Sequence, residues 1–369
     1  MSNPNPIETE QQLDIEDIEG LGETSDGTWG DYPIDTMLIR NENRTVHDVL
    51  RRIDKGTFVM NPDFQRDFIW PDDKQSKLIE SVLMRIPLPV FYLAEDEAGR
   101  MIVVDGLQRL STFRDFTRNK LRLKLPDQPT LNHKRFKELT PKLQNRVEDC
   151  NLILYVIDAK VPERARLDIF ERVNGGVPLT RQQMRNCLFM GKATSFLKTE
   201  SLSGPFLNAT GKSLKSSTMR DREFVNRFCA FQLLPLDEYK EMDDFLAAVL
   251  KRMNKMSDDE LSNLSTEFRL SLSNNFNVFG KHAFRKHSEN QMGRSVLNAS
   301  LWDVMSTGLS RFSEDLVKSR AETLRQHFFL LMKDANFIDS ITYSTNGLAQ
   351  VRIRFAMANA MFRKVFDAD

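Results

Sequence analysis

The sequence lacks the residue spacings that build most zinc sites and disulfide frameworks. Its three cysteines, Cys150, Cys187 and Cys229, lie far apart and form no CxxC pair. Its five histidines show neither HxxxH nor HxH spacing, and no His-Asn-His nuclease pattern occurs. Zinc centres and disulfide scaffolds depend on such clusters. The sequence therefore predicts reduced thiols and argues against a zinc enzyme.

Long apolar runs are also missing. No stretch reaches the roughly 18–20 consecutive apolar residues that a transmembrane helix needs. The N-terminus is acidic and has neither the basic region nor the apolar run of a secretory signal. We therefore predict a cytoplasmic protein with no membrane partner.

The common nucleotide-binding loops are absent as well. Neither GxxxxGK[ST] nor GxGxxG occurs in the sequence. No serine or cysteine lies in a nucleophile elbow or beside a paired histidine, so covalent catalysis is not indicated. Any phosphate-binding site in this chain must therefore be built in another way.

Charge is balanced over the whole chain but not along it. Lysine plus arginine and aspartate plus glutamate both number 52, whereas residues 1–36 contain ten acids and no lysine or arginine. The remainder is therefore net basic, which is compatible with nucleic-acid or nucleotide binding. Because residues 1–36 are also polar and glycine-containing, we predict that they form a disordered acidic leader.

Hydrophobic periodicity divides the remaining chain into two parts. Over residues 37–190, short β-branched runs alternate with helical patterns, which predicts an α+β domain. Over residues 191–369, valine and isoleucine become rarer and the apolar segments lengthen, which predicts an all-α domain. Within these parts we predict a helix over 133–147 and a looser stretch over 195–211.

The stretch Met101–Thr112 carries the most informative pattern. The apolar run Met101–Val104 predicts a buried strand, and the residues after Gly106 predict a helix. Polar groups at a strand end that faces a helix N-terminus can hold a phosphate-bearing ligand. This stretch is therefore the first candidate for a functional site.

Three polar segments could contribute to such a site: Gln65-Arg66, Asp105–Arg109 and Arg172–Gly176. Guanidinium groups form bidentate, charge-assisted hydrogen bonds with phosphate. An aspartate among them could hold Mg²⁺, or orient an arginine and a water molecule. These groups suit a triphosphate, and the alternative is that they form a structural Asp–Arg hydrogen-bond network.

Four motifs follow one another along the chain: Asn61-Pro62-x-x-Gln65-Arg66, Ile86-Pro87-Leu88-Pro89, Val103-Val104-Asp105-Gly106-Leu107-Gln108-Arg109 and Ile169-Phe170-x-Arg172-Val173-Asn174-x-Gly176. Their combined order resembles a known family, the N-terminal domain of GmrSD-type modification-dependent restriction enzymes, in the ParB/sulfiredoxin-like superfamily. The resemblance covers residues 37–190. It implies a ParB/sulfiredoxin-like domain with a small mixed sheet, followed by the helical domain.

The resemblance also implies a function. It predicts a module that binds a nucleoside triphosphate and hydrolyses it with the help of Mg²⁺. This module would belong to a DNA-directed restriction or anti-phage defence system. Catalysis would fall on Asp105, Gln108 and Arg109, with Asp105 also the metal ligand. The remaining nucleotide contacts would come from Gln65, Arg66, Gly106, Thr112, Arg172 and Asn174. DNA or a nuclease partner protein would be the macromolecular partner, and a homo-oligomer is compatible with the sequence.

Two departures from the family pattern leave alternatives open. The family usually reads Asp-Gly-Gln-Gln-Arg, whereas Leu107 replaces the first glutamine here. Leucine would weaken hydrolysis if that side chain touched the nucleotide, and would be harmless if it faced the core. The sequence also shows no His-Asn-His-like pattern of a C-terminal nuclease domain, so we expect any cleavage to need a partner protein or to be absent. The alternatives are a DNA-binding or regulatory adaptor with a vestigial pocket, and a metal-dependent DNA nuclease.

Overall fold

The computed structural model of the chain describes residues 18–19, 39–60, 70–96, 98–173 and 180–367. The chain forms two compact units. The α+β unit comprises Thr28–Gly191, and the helical unit comprises Met1–Gly27 together with Lys192–Asp369. None of the helices in the described ranges is long and apolar enough to cross a membrane.

The α+β unit is built on a five-stranded mixed sheet. Its strands are β2 (Ile39–Thr45), β3 (Phe58–Val59), β4 (Phe91–Glu95), β5 (Met101–Asp105) and β6 (Asn151–Ile157). Their order in the sheet is β2-β6-β4-β5-β3. The pairs β2–β6 and β4–β5 are antiparallel, whereas β4–β6 and β3–β5 are parallel.

Amphipathic helices pack their apolar stripes against this sheet. Burial of these stripes supplies most of the stabilisation, because each fully buried large aliphatic or aromatic side chain contributes about 1.5–3 kcal/mol. Phe91 and Leu93 of β4 meet Leu110 and Phe113 in one continuous core. The helices are α1 (Val46–Asp54), α2 (Asp72–Leu83), α3 (Leu107–Thr117), α4 (Pro141–Glu148), α5 (Glu163–Val173) and α6 (Arg181–Leu188).

The helical unit forms around a cluster of aromatic rings. Trp302 is fully buried, and its ring lies 4.5 Å from that of Phe284 and 5.1 Å from that of Phe224. The helices are α7 (Lys192–Ser201), α8 (Gly204–Thr210), α9 (Arg220–Leu233), α10 (Met242–Met253), α11 (Asp258–Phe279), α12 (Ala299–Leu309), α13 (Glu314–Ser319), α14 (Ala321–Leu331), α15 (Ala335–Thr342) and α16 (Leu348–Phe366).

The predicted layout, an α+β part with a small mixed sheet followed by a helical part, is confirmed. The ParB/sulfiredoxin-like assignment remains a prediction. The helical unit also contains one very short parallel pair, β1 (Ile18–Glu19) with β7 (Leu297–Asn298). These two residues of the predicted disordered leader are therefore ordered, and the rest of the leader lies outside the described residues.

Two local predictions were wrong. The helix expected over 133–147 is α4, which begins only at Pro141. Proline lacks the backbone N–H that a helix interior requires, but it suits the first helical turn. The stretch 195–211, expected to be loose, is helical: Ser203 caps α8 and Gly211 ends it in a left-handed conformation. Helices this short leave little periodicity in the sequence.

A buried charge network crosses the helical unit. Arg227 of α9 donates to both carboxylate oxygens of Asp303 on α12, at 2.8 and 2.6 Å. Arg354 of α16 donates to the same carboxylate at 2.8 Å, and all three side chains are fully buried. Two guanidinium groups thus depend on one carboxylate for their neutralisation.

Replacing that carboxylate by an amide should strongly destabilise the helical unit. In Asp303→Asn, two buried arginines lose their counter-charge, so we expect the free energy of unfolding to fall by about 3–5 kcal/mol. Urea denaturation followed by circular dichroism measures this change. The control is Glu322→Gln, which neutralises the exposed Arg325–Glu322 pair and should change stability little. Equal effects from the two variants would contradict the assigned role of Asp303.

Candidate functional site

The turn between β5 and α3 requires glycine. Gly106 precedes α3 in the left-handed conformation, with φ of 94°. A Cβ atom at this position would lie 2.2 Å from Cδ1 of Phe91 on β4. Because only glycine tolerates both the conformation and the contact, the N-terminus of α3 can lie directly against the sheet.

Arg109 links the two sides of this turn. Its guanidinium lies 4.1 Å above the Phe91 ring and donates to the carbonyl oxygens of Pro89 and Val90. It also donates to Oδ2 of Asp105 at 2.8 Å, and Arg109 is only 8% exposed. Burial lowers the pKa of the Arg109 guanidinium, whereas the Asp105 carboxylate raises it. Arg109 therefore holds the Pro89–Val90 segment and Asp105 together.

Asp105 is both oriented and accessible. Oδ2 accepts the hydrogen bond from Arg109, and the side chain is 35% exposed. In the described part of the chain, its other oxygen, Oδ1, has no hydrogen-bond partner. A carboxylate fixed through one oxygen and open through the other can bind a cation or a water molecule.

Gln108 connects α3 to the start of α2. Its Oε1 accepts from the backbone N–H of Trp70 at 3.1 Å, and Gln75 donates to the Trp70 carbonyl at 2.6 Å. The ammonium group of Lys74 lies 4.5 Å from the centre of the Trp70 ring. Within the described residues, the amide nitrogen of Gln108 has no partner, so it can still donate to a ligand.

A family model described as "GmrSD restriction endonuclease, N-terminal domain" matches residues 46–190, which include the whole turn. Residues 46–190 belong to the GmrSD N-terminal domain family. The match indicates a component of a restriction system. No curated protein matches the chain at a significant level.

The side chain that departs from the usual GmrSD motif is partly turned towards the core. Leu107 is half-buried and packs against the hydrophobic core of the α+β unit. Of the two outcomes considered for the replacement of glutamine, this packing favours the one in which leucine is harmless. If the side chain at this position packs on the core, replacing glutamine by leucine takes no polar group away from a ligand.

Thr112 is buried one helical turn beyond Gln108. It is 1% exposed, and its hydroxyl donates to the backbone carbonyl of Gln108 at 2.8 Å. The structure therefore gives Thr112 a position inside the GmrSD domain rather than on an accessible surface. Its contact with a nucleotide stays a prediction.

The described residues bring together only part of the predicted site. Asp105, Gly106, Gln108 and Arg109 lie in one turn, which we call the Asp105 corner. Gln65, Arg66 and Asn174 lie outside the described residues, and although Arg172 lies on α5, its side chain is not among those described. The expected second wall of the pocket thus remains a prediction.

Sequence reasoning missed Phe91 and the Pro89–Val90 carbonyls. Both contact Arg109 and therefore help to set the direction of Asp105. A signal was present in Pro87-Leu88-Pro89. A segment with two prolines has lost two backbone donors, and its carbonyls are therefore available to a side chain such as arginine.

A cleft lies on the GmrSD domain away from the side chains of the Asp105 corner. Its volume is about 450 Å³, and its lining includes Val82, Pro87, Leu88, Lys142 and Arg146. None of the predicted site residues lines it. The cleft nevertheless shares the segment after α2 with the Asp105 corner, because Arg109 binds the Pro89 and Val90 carbonyls.

The described ranges contain no group of three or more His, Cys, Asp or Glu side chains arranged around a metal ion. Mg²⁺ often takes only one or two carboxylates from the protein and fills its remaining positions with water and phosphate oxygens. Asp105 fits that kind of site. It does not fit a cage made entirely of protein ligands.

A paired substitution tests whether Gly106 is required by its contact with Phe91. Gly106→Ala adds a methyl group against this ring, so we expect it to lower the free energy of unfolding by about 1–3 kcal/mol more than the control does. The control is Gly99→Ala in the turn between β4 and β5, where φ is 74° and the added Cβ would meet nothing within 4 Å. Chemical denaturation measures both variants. Equal losses would show that only the backbone conformation matters.

Proposed function

We propose that the GmrSD domain binds a nucleoside triphosphate with Mg²⁺ at the Asp105 corner and hydrolyses it, as one module of a DNA-directed restriction or anti-phage defence system. The observation that carries the proposal is the Asp105 carboxylate, which Arg109 fixes beside the N-terminus of α3. The family match supports the restriction context.

The helix start itself suits a phosphate group. The first N–H groups of a helix have no partner within the helix, and the helix dipole favours a negative charge there. None of the described side chains caps α3, and the first turn of this helix contains no acid. Gly106, which has no side chain, allows a phosphate to approach these N–H groups closely.

In this proposal each residue of the corner has its own task. Asp105 would hold Mg²⁺ through Oδ1, and the metal would neutralise phosphate charge. Gln108 would use its amide nitrogen, for which the described residues supply no partner, to orient a phosphate oxygen or the attacking water. Arg109 would act mainly as a positioning residue, because its guanidinium already binds two carbonyls and Asp105. This role differs from the direct phosphate contact that the sequence suggested.

One observation favours the rival function, a regulatory adaptor with a vestigial pocket. Arg109 is 8% exposed and its hydrogen bonds go to protein acceptors, as expected of a structural Asp–Arg network. In an adaptor of this kind the corner would stabilise the domain and bind no nucleotide. Calorimetry with each of the four ribonucleoside triphosphates and Mg²⁺ separates the two functions, because only the nucleotide-binding domain would release heat.

Neutralising Asp105 should abolish turnover while leaving the fold intact. Asp105→Asn keeps the shape of the side chain but removes the charge that would hold Mg²⁺, so phosphate release should fall to background. The matched control is Asp115→Asn on α3, the helix that follows Asp105, because its carboxylate side chain is 37% exposed against 35% for Asp105. Unchanged phosphate release by a folded Asp105→Asn protein would contradict the proposed hydrolysis at Asp105.

A conservative change at Arg109 distinguishes positioning from phosphate binding. In Arg109→Lys the positive charge stays, but a lysine cannot reach Asp105 and both carbonyls in the same fork. If Arg109 positions Asp105, phosphate release should fall while the nucleotide dissociation constant changes little. If Arg109 binds phosphate directly, the dissociation constant should rise as well. The control is Arg114→Lys on the same helix, where the arginine side chain is 24% exposed and lies near Asp115 rather than Asp105, and it should alter neither quantity.

A further inference from the structure

A strongly basic segment follows the Asp105 corner in the chain. Residues 118–137 contain seven lysine or arginine residues and a single acid, although the whole chain has 52 of each sign. A concentration of this kind creates a positive field that attracts polyanions. None of the predicted site residues lies in the segment.

The segment presents its cations in a regular row. Leu121, Leu123 and Leu125 are buried. The residues that alternate with them, Lys120, Arg122 and Lys124, are exposed. This alternation has the period of an extended chain, so the three cations share one face. They follow one another at intervals of about 6.6 Å. We call Lys120, Arg122 and Lys124 the basic ridge.

Hydrogen bonds hold the backbone of the basic ridge in place. Leu123 donates to the carbonyl of Lys134 at 3.0 Å and accepts from the backbone of His133 at 2.8 Å. The N–H of Lys124 donates to the hydroxyl of Ser76 on α2 at 2.8 Å. A row of cations on a fixed backbone loses less entropy on binding than cations on a flexible tail.

The charges of the basic ridge are largely free to bind a partner. Among the described residues, Lys120 and Arg122 have no acidic partner. Lys124 forms an ion pair with Asp72 at 2.8 Å, but these side chains are 59% and 52% exposed. An ion pair this exposed contributes little to stability and exchanges readily for a phosphate.

We propose that the basic ridge binds the phosphate backbone of double-stranded DNA without reading its sequence. Regularly spaced cations suit phosphates, which position a protein on DNA but carry no base information. Proteins that bind single strands usually add exposed aromatic rings for base stacking. The only Phe, Tyr or Trp in residues 118–137 is Phe136, and it is buried. This composition favours the duplex.

The N-terminal turn of α2 connects the basic ridge to the Asp105 corner. Asp72 and Ser76 contact Lys124, and Trp70, which precedes the helix, is bonded to Gln108. DNA on the ridge would therefore lie close to the elements that hold the candidate nucleotide site. The inference rests on the DNA-directed part of the proposed function and does not require nucleotide hydrolysis.

The test measures DNA affinity of the full chain over a series of salt concentrations. The probe is a short fluorescein-labelled duplex, read by fluorescence anisotropy, with one of its strands alone as the comparison. Because each neutralised phosphate contributes about 0.9 to the slope of log affinity against log salt, the variant Lys120→Gln/Arg122→Gln/Lys124→Gln should lower that slope by roughly 2.7. The wild type should bind the duplex more tightly than the single strand.

Two further variants separate the basic ridge from general charge. Lys255→Gln/Lys333→Gln/Lys364→Gln removes the same amount of charge from exposed positions of the helical unit and should leave the slope unchanged. Asp72→Asn removes the acid that competes for Lys124 and should strengthen DNA binding. Circular dichroism of each variant checks that the fold survives, and Asp72→Asn keeps the test decisive if the triple ridge variant does not fold.

Several outcomes would overturn the inference. These are no duplex binding by the wild type, equal loss in the two triple variants, or tighter binding to polyglutamate than to DNA, which would indicate an acidic protein partner. Calorimetry with Mg²⁺ and nucleotide on the ridge variant keeps the two proposals distinguishable. A protein that binds nucleotide but not DNA would contradict only the proposed role of the basic ridge. A protein that binds DNA but not nucleotide would contradict only the proposed nucleotide hydrolysis.

Discussion

The Arg109 guanidinium is the contact on which the candidate site depends. It lies over Phe91, binds two carbonyls of the segment before β4, and fixes one oxygen of Asp105. Gly106 makes this possible, because any side chain there would collide with the same phenylalanine ring. One buried cation thus joins a strand end, a helix start and a proline-containing segment. Among the described residues, it leaves one oxygen of the partly exposed Asp105 carboxylate without a hydrogen-bond partner beside the N-terminus of α3.

The two units use buried arginines in different ways. In the helical unit, Arg227 and Arg354 neutralise Asp303 completely out of contact with solvent, so that network can only support the fold. In the α+β unit, Arg109 is buried but its partner Asp105 remains partly exposed. A carboxylate that the protein holds in place and that solvent can still reach can interact electrostatically with a ligand. This difference in exposure separates a candidate site from a structural ion pair.

Much of the local structure could be predicted from the sequence. The strand ending at Asp105, the helix after Gly106 and the change from an α+β part to a helical part all follow from short-range hydrophobic patterns. The errors lie where local patterns compete. An apolar spacing over 133–147 resembled a helix, although Pro141 fixes the true start, and the short helices within 195–211 gave too little periodicity to detect.

The sequence by itself determined that Asp105, Gly106, Gln108 and Arg109 lie together at a strand-to-helix turn, since the four residues are neighbours in the chain and their spacing is set by local geometry. It also determined the family likeness of this segment. Only the tertiary structure decided what these groups do there. The burial of Arg109 over Phe91, the core packing of Leu107 and Thr112, and the exposure of the basic ridge depend on contacts between distant segments, which no local pattern encodes.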